Sequence, residues 1–220
     1  MKQIISIFFI ITLLTNISYA KELNKNEVIE KMIEAYGGEK NLLQLDSYKQ
    51  VWNVEFMNSD KSGFDKRTVK MPYELKTEII YPDKTEIRIL TKDSAKKIFT
   101  DKTKEVSGPM LDAMRLQLLR LYHPLELKRR VDDLKLTQNQ KQHILALKSG
   151  KIAVEFIISK KDSLIEKVIG RLQMGPQQME FLTKYEDYKL VNGVMVPHKE
   201  IKYVGSMNTA IMELKEIKFK

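Results

Sequence analysis

From residue 47 onward the chain alternates. Apolar and polar side chains take turns in segment after segment, the two-residue period of a strand with one buried and one wet face. Tyr48, Gln50, Trp52, Val54 and Phe56 share one side, while Lys49, Asn53 and Glu55 take the other. After a polar turn at 58–63 and a break at Pro72, Tyr73, Leu75, Thr77, Ile79 and Tyr81 alternate with Glu74, Lys76 and Glu78. Beyond Pro82-Asp83-Lys84, Thr85, Ile87, Ile89 and Thr91 alternate with Glu86 and Arg88. Further segments cover 143–148, 151–160, 164–173, 177–190, 194–204 and 209–220. Ser149-Gly150, Gly175-Pro176 and Asn192-Gly193 are among the turns between them, the last being the strongest hairpin signal in the chain. Roughly eleven strands at this turn spacing predict one large antiparallel sheet.

Two stretches follow a helical period instead. Asn24 or Asn26 can cap a helix from about Glu27, with Val28, Ile29, Met32, Ile33 and Tyr36 on one stripe and Gly37-Gly38 as its stop. Ser107-Gly108-Pro109 opens a second helix in the middle of the chain. Its apolar stripe is Met110, Leu111, Met114, Leu118, Leu121 and Tyr122, and His123-Pro124 ends it. A sheet of so many strands accumulates twist and must curl. The expected fold is therefore mainly β (α+β): a curved, half-barrel sheet with an N-terminal helix and a helical lid on the concave side. Trp52, Val54, Phe56, Met71, Tyr73, Leu75, Ile79, Ile87, Phe181 and Tyr185 are expected to line the concave interior, with Lys and Glu partners outside.

The first twenty residues read as an export signal. Lys2 precedes an apolar run at 4–14, and Ser18-Tyr19-Ala20 fits small-x-small cleavage. The run is short for a membrane span, which takes about 20 residues. Residues 21–220 are then expected as one exported domain in the periplasm, soluble and not lipidated. With hydrophobic residues at 43% and charged residues at 30%, an ordinary packed core is within reach. The net charge of +9 comes from scattered lysines, which outside the cytoplasm suits anionic lipid better than nucleic acid. Lys128-Arg129-Arg130 is the densest basic run, beside the predicted lid; it is either a solvated face or a contact for an anionic headgroup or membrane.

Catalytic chemistry has little to work with. There is no cysteine, which removes disulfides, thiol nucleophiles and Cys-ligated metals, and no Gly-x-Ser-x-Gly. His123, His143 and His198 stand at spacings that match no zinc motif. Asp132-Asp133 and Glu186-Asp187 read as solvated charge. No enzyme activity, metal or cofactor is expected. The eleven methionines, with Met110 and Met114 on the lid stripe, suit an adaptable apolar pocket.

Several segments, in order, resemble one family. They are Glu34-Ala35-Tyr36-Gly37-Gly38, then Thr68-Val69-Lys70-Met71-Pro72-Tyr73-Glu74-Leu75, then Tyr81-Pro82-Asp83 and Leu90-Thr91-Lys92-Asp93-Ser94. The last is the run from Tyr185-Glu186-Asp187-Tyr188 through Asn192-Gly193 to Pro197-His198. Together they resemble the LolA/LolB-like superfamily of periplasmic outer-membrane lipoprotein-sorting carriers. The resemblance implies a half-open barrel whose lid covers a hydrophobic cavity. It also implies transport by non-covalent shielding of lipid or lipoprotein acyl chains, passed by a monomer from an inner-membrane transporter to an outer-membrane acceptor. Met71, Tyr73 and Leu75 fall on the family's cavity-facing segment; the helix of Met110, Leu111, Met114, Leu118 and Leu121 falls on its lid. Two positions depart from the pattern: Met71 stands where the carrier has a lid-fastening Arg, and Asp93-Ser94-Ala95-Lys96-Lys97 replaces an Asp-Gly-Lys run. An alternative within the same fold is a lipid-sensing subunit that regulates a membrane signalling protein.

Overall fold

A computed structural model describes residues 22–57, 61–99 and 102–220, so the predicted export signal lies outside the described residues. The first meander comprises β1 (Ser47–Phe56), β2 (Lys61–Lys70), β3 (Glu74–Ile80), β4 (Thr85–Leu90), β5 (Ala95–Phe99) and β6 (Lys102–Glu105). The second comprises β7 (Leu134–Gln138), β8 (Gln142–Ser149), β9 (Ile152–Ser159), β10 (Ile165–Met174), β11 (Gln177–Val191), β12 (Val194–Val204) and β13 (Met207–Phe219). Each strand pairs antiparallel with its neighbour, and β13 returns to lie beside β1. One thirteen-stranded sheet results, in the order β6-β5-β4-β3-β2-β1-β13-β12-β11-β10-β9-β8-β7. The strands β5, β6 and β7 carry no clear alternation in the sequence. All three are short, and β5 and β6 are rich in lysine, as outer strands often are to discourage further pairing.

Because β6 and β7 form the two opposite edges, the chain between them must cross the whole sheet. That crossing carries α3 (Gly108–Leu119) and α4 (Pro124–Arg129), each with Pro in its first turn. α3 packs on β9 and β10 and also touches β4, so it bridges both halves of the sheet. At the N-terminus, α1 (Lys25–Ala35) starts with a capping box: Glu27 N–H donates to Asn24 Oδ1 and Asn24 N–H to Glu27 Oε2. It buries Val28, Ile29, Met32 and Ile33. α2 (Glu39–Leu42) and a 3₁₀ turn at Leu43–Asp46 lead into β1. α4 lies against α1 and α2.

Leu75 on β3 pairs with Leu90 on β4, and both are buried. That register decides the faces of β4, since a period of two leaves no freedom once one pair is set. Leu90, Arg88 and Glu86 therefore point to the concave side, and Ile87, opposite Glu78 and Ile98, takes the convex one. The expectation that Ile87 lines the interior is corrected on this ground. In the same way Asp65 and Arg67 on β2 share the inner face with Val69, so that face is not uniformly apolar.

The close of α1 depends on glycine. Gly37 has φ +108°, and a Cβ there would lie 1.8 Å from the Gly193 carbonyl oxygen in the β11–β12 turn. Met195 N–H donates to the Tyr36 carbonyl, and Gln44 to that of Asn192, at 3.1 Å each. Gly37→Ala is expected to lower stability by at least the roughly 1–3 kcal/mol of the strained backbone. Urea unfolding measures it, and an unchanged midpoint would contradict this docking.

Candidate functional site

The concave face beneath α3 is the site. Met114, Leu116 and Leu118 of α3 are all under 5% exposed, packed into the main core with Leu145, Val154, Phe156, Val168 and Leu172 of the sheet. Leu111 and Leu121 pack at the margins, whereas Met110, at the start of α3, is 45% exposed. Leu116 and Leu119 lie off the stripe read from the sequence, yet both are buried. A helix that bridges two halves of a curled sheet is wetted on only a narrow strip, so it needs more than one apolar stripe. Gly170 on β10 makes room for it, because a Cβ there would come within 2.7 Å of Leu116 and Arg120 side-chain atoms.

Beyond the C-terminal end of α3 a hollow of about 80 Å³ lies between Tyr36, Tyr48, Leu121, Val168, Tyr185 and Tyr188 among others. That admits a few waters and is far below the roughly 300–1,000 Å³ of ordinary ligand pockets. More space lies along the lid's outer margins. Tyr73, 53% exposed after Pro72, walls a groove of about 240 Å³ with Leu90, Leu118 and Ile152. Phe99 and Met110 face Lys97, Lys102 and Lys104 across another of about 580 Å³.

The remaining predicted cavity residues divide into two groups. Leu75 is buried in the main core, with Met71, Phe181 and Tyr185 packed at its edge. Trp52 and Val54 form a second, separate cluster with Ala210 and Met212, and Phe56 packs on it while stacking on Tyr81. Ile79 is half-buried on the same face of β3 as Leu75.

Between the two clusters runs a buried ionic network that sequence reading passed over. Arg67 donates to both Glu200 oxygens at 2.9 and 3.0 Å and through Nε to Asp65 at 3.0 Å. Its guanidinium lies 5.2 Å from the Trp52 ring centre. Lys202 lies 3.5 Å from Glu200 and 4.0 Å from Asp65. Burial pushes the Glu200 carboxyl up, but the Arg67 and Lys202 charges prevail and hold it at about 2. Burial, helped by the Arg67 charge, brings the Lys202 ammonium down to about 8 against the pull of its two carboxylates. The available signal was parity: Asp65 and Arg67 alternate with Lys66 and Thr68 in phase with the apolar Val69.

Tyrosines and a clasp tie the lid down. The Tyr185 hydroxyl donates to the Arg120 carbonyl at 3.3 Å. Tyr36 and Tyr188 share a hydrogen bond at 3.0 Å, and Tyr188 also donates to the Ile165 carbonyl at 2.8 Å. Burial raises the Tyr36 phenol to about 12, so it stays neutral. On α4, Arg129 pairs with Asp46 at 2.8 Å and with Glu126, while His123 Nε2 lies 3.4 Å from Asp46. His123 beside it, then Arg129, hold the Asp46 carboxyl below the usual carboxylate range against burial. Asp46, His123 and Glu126 are the one group of metal-type ligands gathered among the described residues. Arg129 already supplies the positive charge between the two carboxylates, so the group reads as a clasp. Lys128 pairs with Glu30 and Glu39, and Arg130 with Asp133. The basic run at 128–130 thus ties the lid to its surroundings, and all three side chains have acidic partners within the chain.

Arg67→Met is expected to cost about 3–5 kcal/mol, because it strands two buried carboxylates. The double variant Arg67→Met/Glu200→Met leaves Asp65 with Lys202 and should recover most of that loss. Urea denaturation of the three proteins decides it, and equal midpoints throughout would contradict a buried network.

The arrangement has counterparts among solved structures. One is a LolA superfamily protein, NE2245 from Nitrosomonas europaea, with TM-score 0.57 and 11% identity over 90% of this chain and 94% of that one. Another, from Vibrio parahaemolyticus, is described as an outer membrane lipoprotein-sorting protein domain, with TM-score 0.54 and 10% identity over 90% and 94%. No protein family description matches the sequence, and no curated protein does. At such identities the likeness is one of fold. An open antiparallel sheet curled around crossing helices, matched over nine-tenths of the chain, is a LolA-like fold.

Proposed function

We propose that the protein is a periplasmic carrier that binds the acyl chains of a lipid or lipoprotein on its concave face and carries them toward the outer membrane. The observation that carries this reading is the way α3 sits. Its Met114, Leu116 and Leu118 are buried against the apolar concave face, and the hollow left open beyond its C-terminal end, at Arg120–His123, is only about 80 Å³. Acyl methylenes can replace these side chains one for one, at about 0.8 kcal/mol for each CH₂ taken from water. The described structure is then the closed, unloaded state, and loading swings α3 off the sheet from its Met110 end. The grooves beside Tyr73 and Met110 are where that movement starts, since α3 rests chiefly on β9 and β10. The LolA-like fold supports the reading, as do the predicted export signal and the absence, among the described residues, of any helix long and apolar enough to cross a membrane.

Delipidated protein should take up a fluorescent fatty acid at micromolar concentration. Gly170→Val pushes against Leu116 and should speed uptake several-fold, with faster trypsin cleavage within residues 108–130. Asp46→Asn, which breaks the clasp without touching the hollow, should act in the same direction. No uptake by any of the three proteins would sink the carrier reading.

A further inference from the structure

Arg120 closes α3 above the sheet, and its charge is not used by the packing of the lid. Its guanidinium donates to Thr183 Oγ1 on β11. Its Nε is buried without a hydrogen-bond partner. Among the described residues no carboxylate lies within ion-pairing distance of it, unlike every other arginine discussed above. Burial is the main reason its guanidinium is held below its ordinary value. Directly below lies a chamber of about 20 Å³, whose charged walls are Arg67, Arg120, Lys202 and Glu200. Asp65 joins through Arg67 and Lys202. Three cations thus face two carboxylates. A surplus buried charge is costly unless something pairs with it.

The donors are unevenly spent. Arg67 is committed to Asp65, Glu200 and the Met212 sulfur. Lys202 reaches its partners only at 3.5 and 4.0 Å, and Arg120 has a free N–H. The chamber adjoins the apolar hollow, since Arg120, Leu121, Tyr185 and Glu200 wall both. An apolar hollow that ends in spare cationic donors matches an amphiphile with an acidic head.

We infer that this chamber is an anion site, which holds the carboxylate or phosphate monoester head of a single-chain lipid while the tail occupies the hollow. Arg120 and Lys202 donate to the head; Arg120, tied through its carbonyl to Tyr185, stays over the chamber while the Met110 end of α3 swings away from the tail. The inference rests on the carrier reading and narrows it, because a lipid with an uncharged head leaves Arg120 unpaired.

Trp52, the single tryptophan, lies against Arg67 and reports on the site by its own fluorescence. The delipidated full chain is titrated at neutral pH with palmitate, methyl palmitate and palmitoyl lysophosphatidate. At least one acid-headed lipid should bind about tenfold or more tighter than the ester, the value of a charge-assisted hydrogen bond. The tighter of the two names the head. Arg120→Met should bring that lipid to within about twofold of the ester, and Arg120→Lys should restore much of the preference. Since Arg120→Met removes an unpaired charge, its thermal midpoint should not fall. Lys202→Met offers an independent variant and should also narrow the ratio. Equal binding of all three lipids by the wild type would overturn the anion site and leave the carrier standing, as would a preference that survives in both variants. Binding of none of them would remove the carrier reading and the anion site together.

Discussion

The order of the strands governs everything above it. β1 pairs with β13, so the two meanders lie side by side and the ends of the helical insert fall on opposite edges of the sheet. Residues 106–133 have no short route between β6 and β7. Twist curls the sheet, and the connection takes the inside of the curl because only there can an apolar helix be buried. The lid is therefore a consequence of connectivity and not an ornament added to a finished barrel. It also explains why α3 is apolar on more than one stripe: it meets β9 and β10 on one side and β4 on the other.

Side chains of α3 cover the apolar concave face in the described state, and on the carrier reading an acyl chain has to displace them. Such a design needs fastenings of modest strength. The Asp46–Arg129 clasp is partly exposed, and exposed ion pairs are worth about 1 kcal/mol or less. The Tyr185 bond to the Arg120 carbonyl is long, at 3.3 Å. By contrast, the Arg67–Glu200 pair on the sheet is buried and bidentate. The buried ionic network thus belongs to the sheet, and the weak ties belong to the helical crossing. The network also splits the apolar face, which sets the core beneath α3 apart from the Trp52 cluster.

Much of this was legible in the residues. Period-two alternation located most of the strands, and Asn24 with Glu27, Gly37-Gly38 and Pro109 placed the helix ends within two residues. Met114 and Leu118 stood out as lid positions and are buried. The failures have physical causes. β5 and β6 are short, with the lysine-rich sequences of an edge, so no alternation marks them. Ile87 reads as an inner residue when apolar side chains alone define the face of β4, yet pairing with β3 fixes that face through Leu90. Glu200 and Arg120 carry no local signal of burial, and parity alone marks Arg67, since a charge is compatible with the inside only through partners brought from distant strands. Arg67 and Glu200 are 133 residues apart.

The central claim is that an acyl ligand and α3 compete for one hollow. With no native cysteine, two spin labels can be placed at Arg115→Cys on the exposed side of α3 and Lys148→Cys on β8. Pulsed electron–electron resonance then measures the separation with and without bound lipid. The account predicts a single short distance in the unloaded protein and a longer one, by several ångströms, once the ligand is bound. An unchanged distance in protein shown by mass spectrometry to carry the lipid would contradict it.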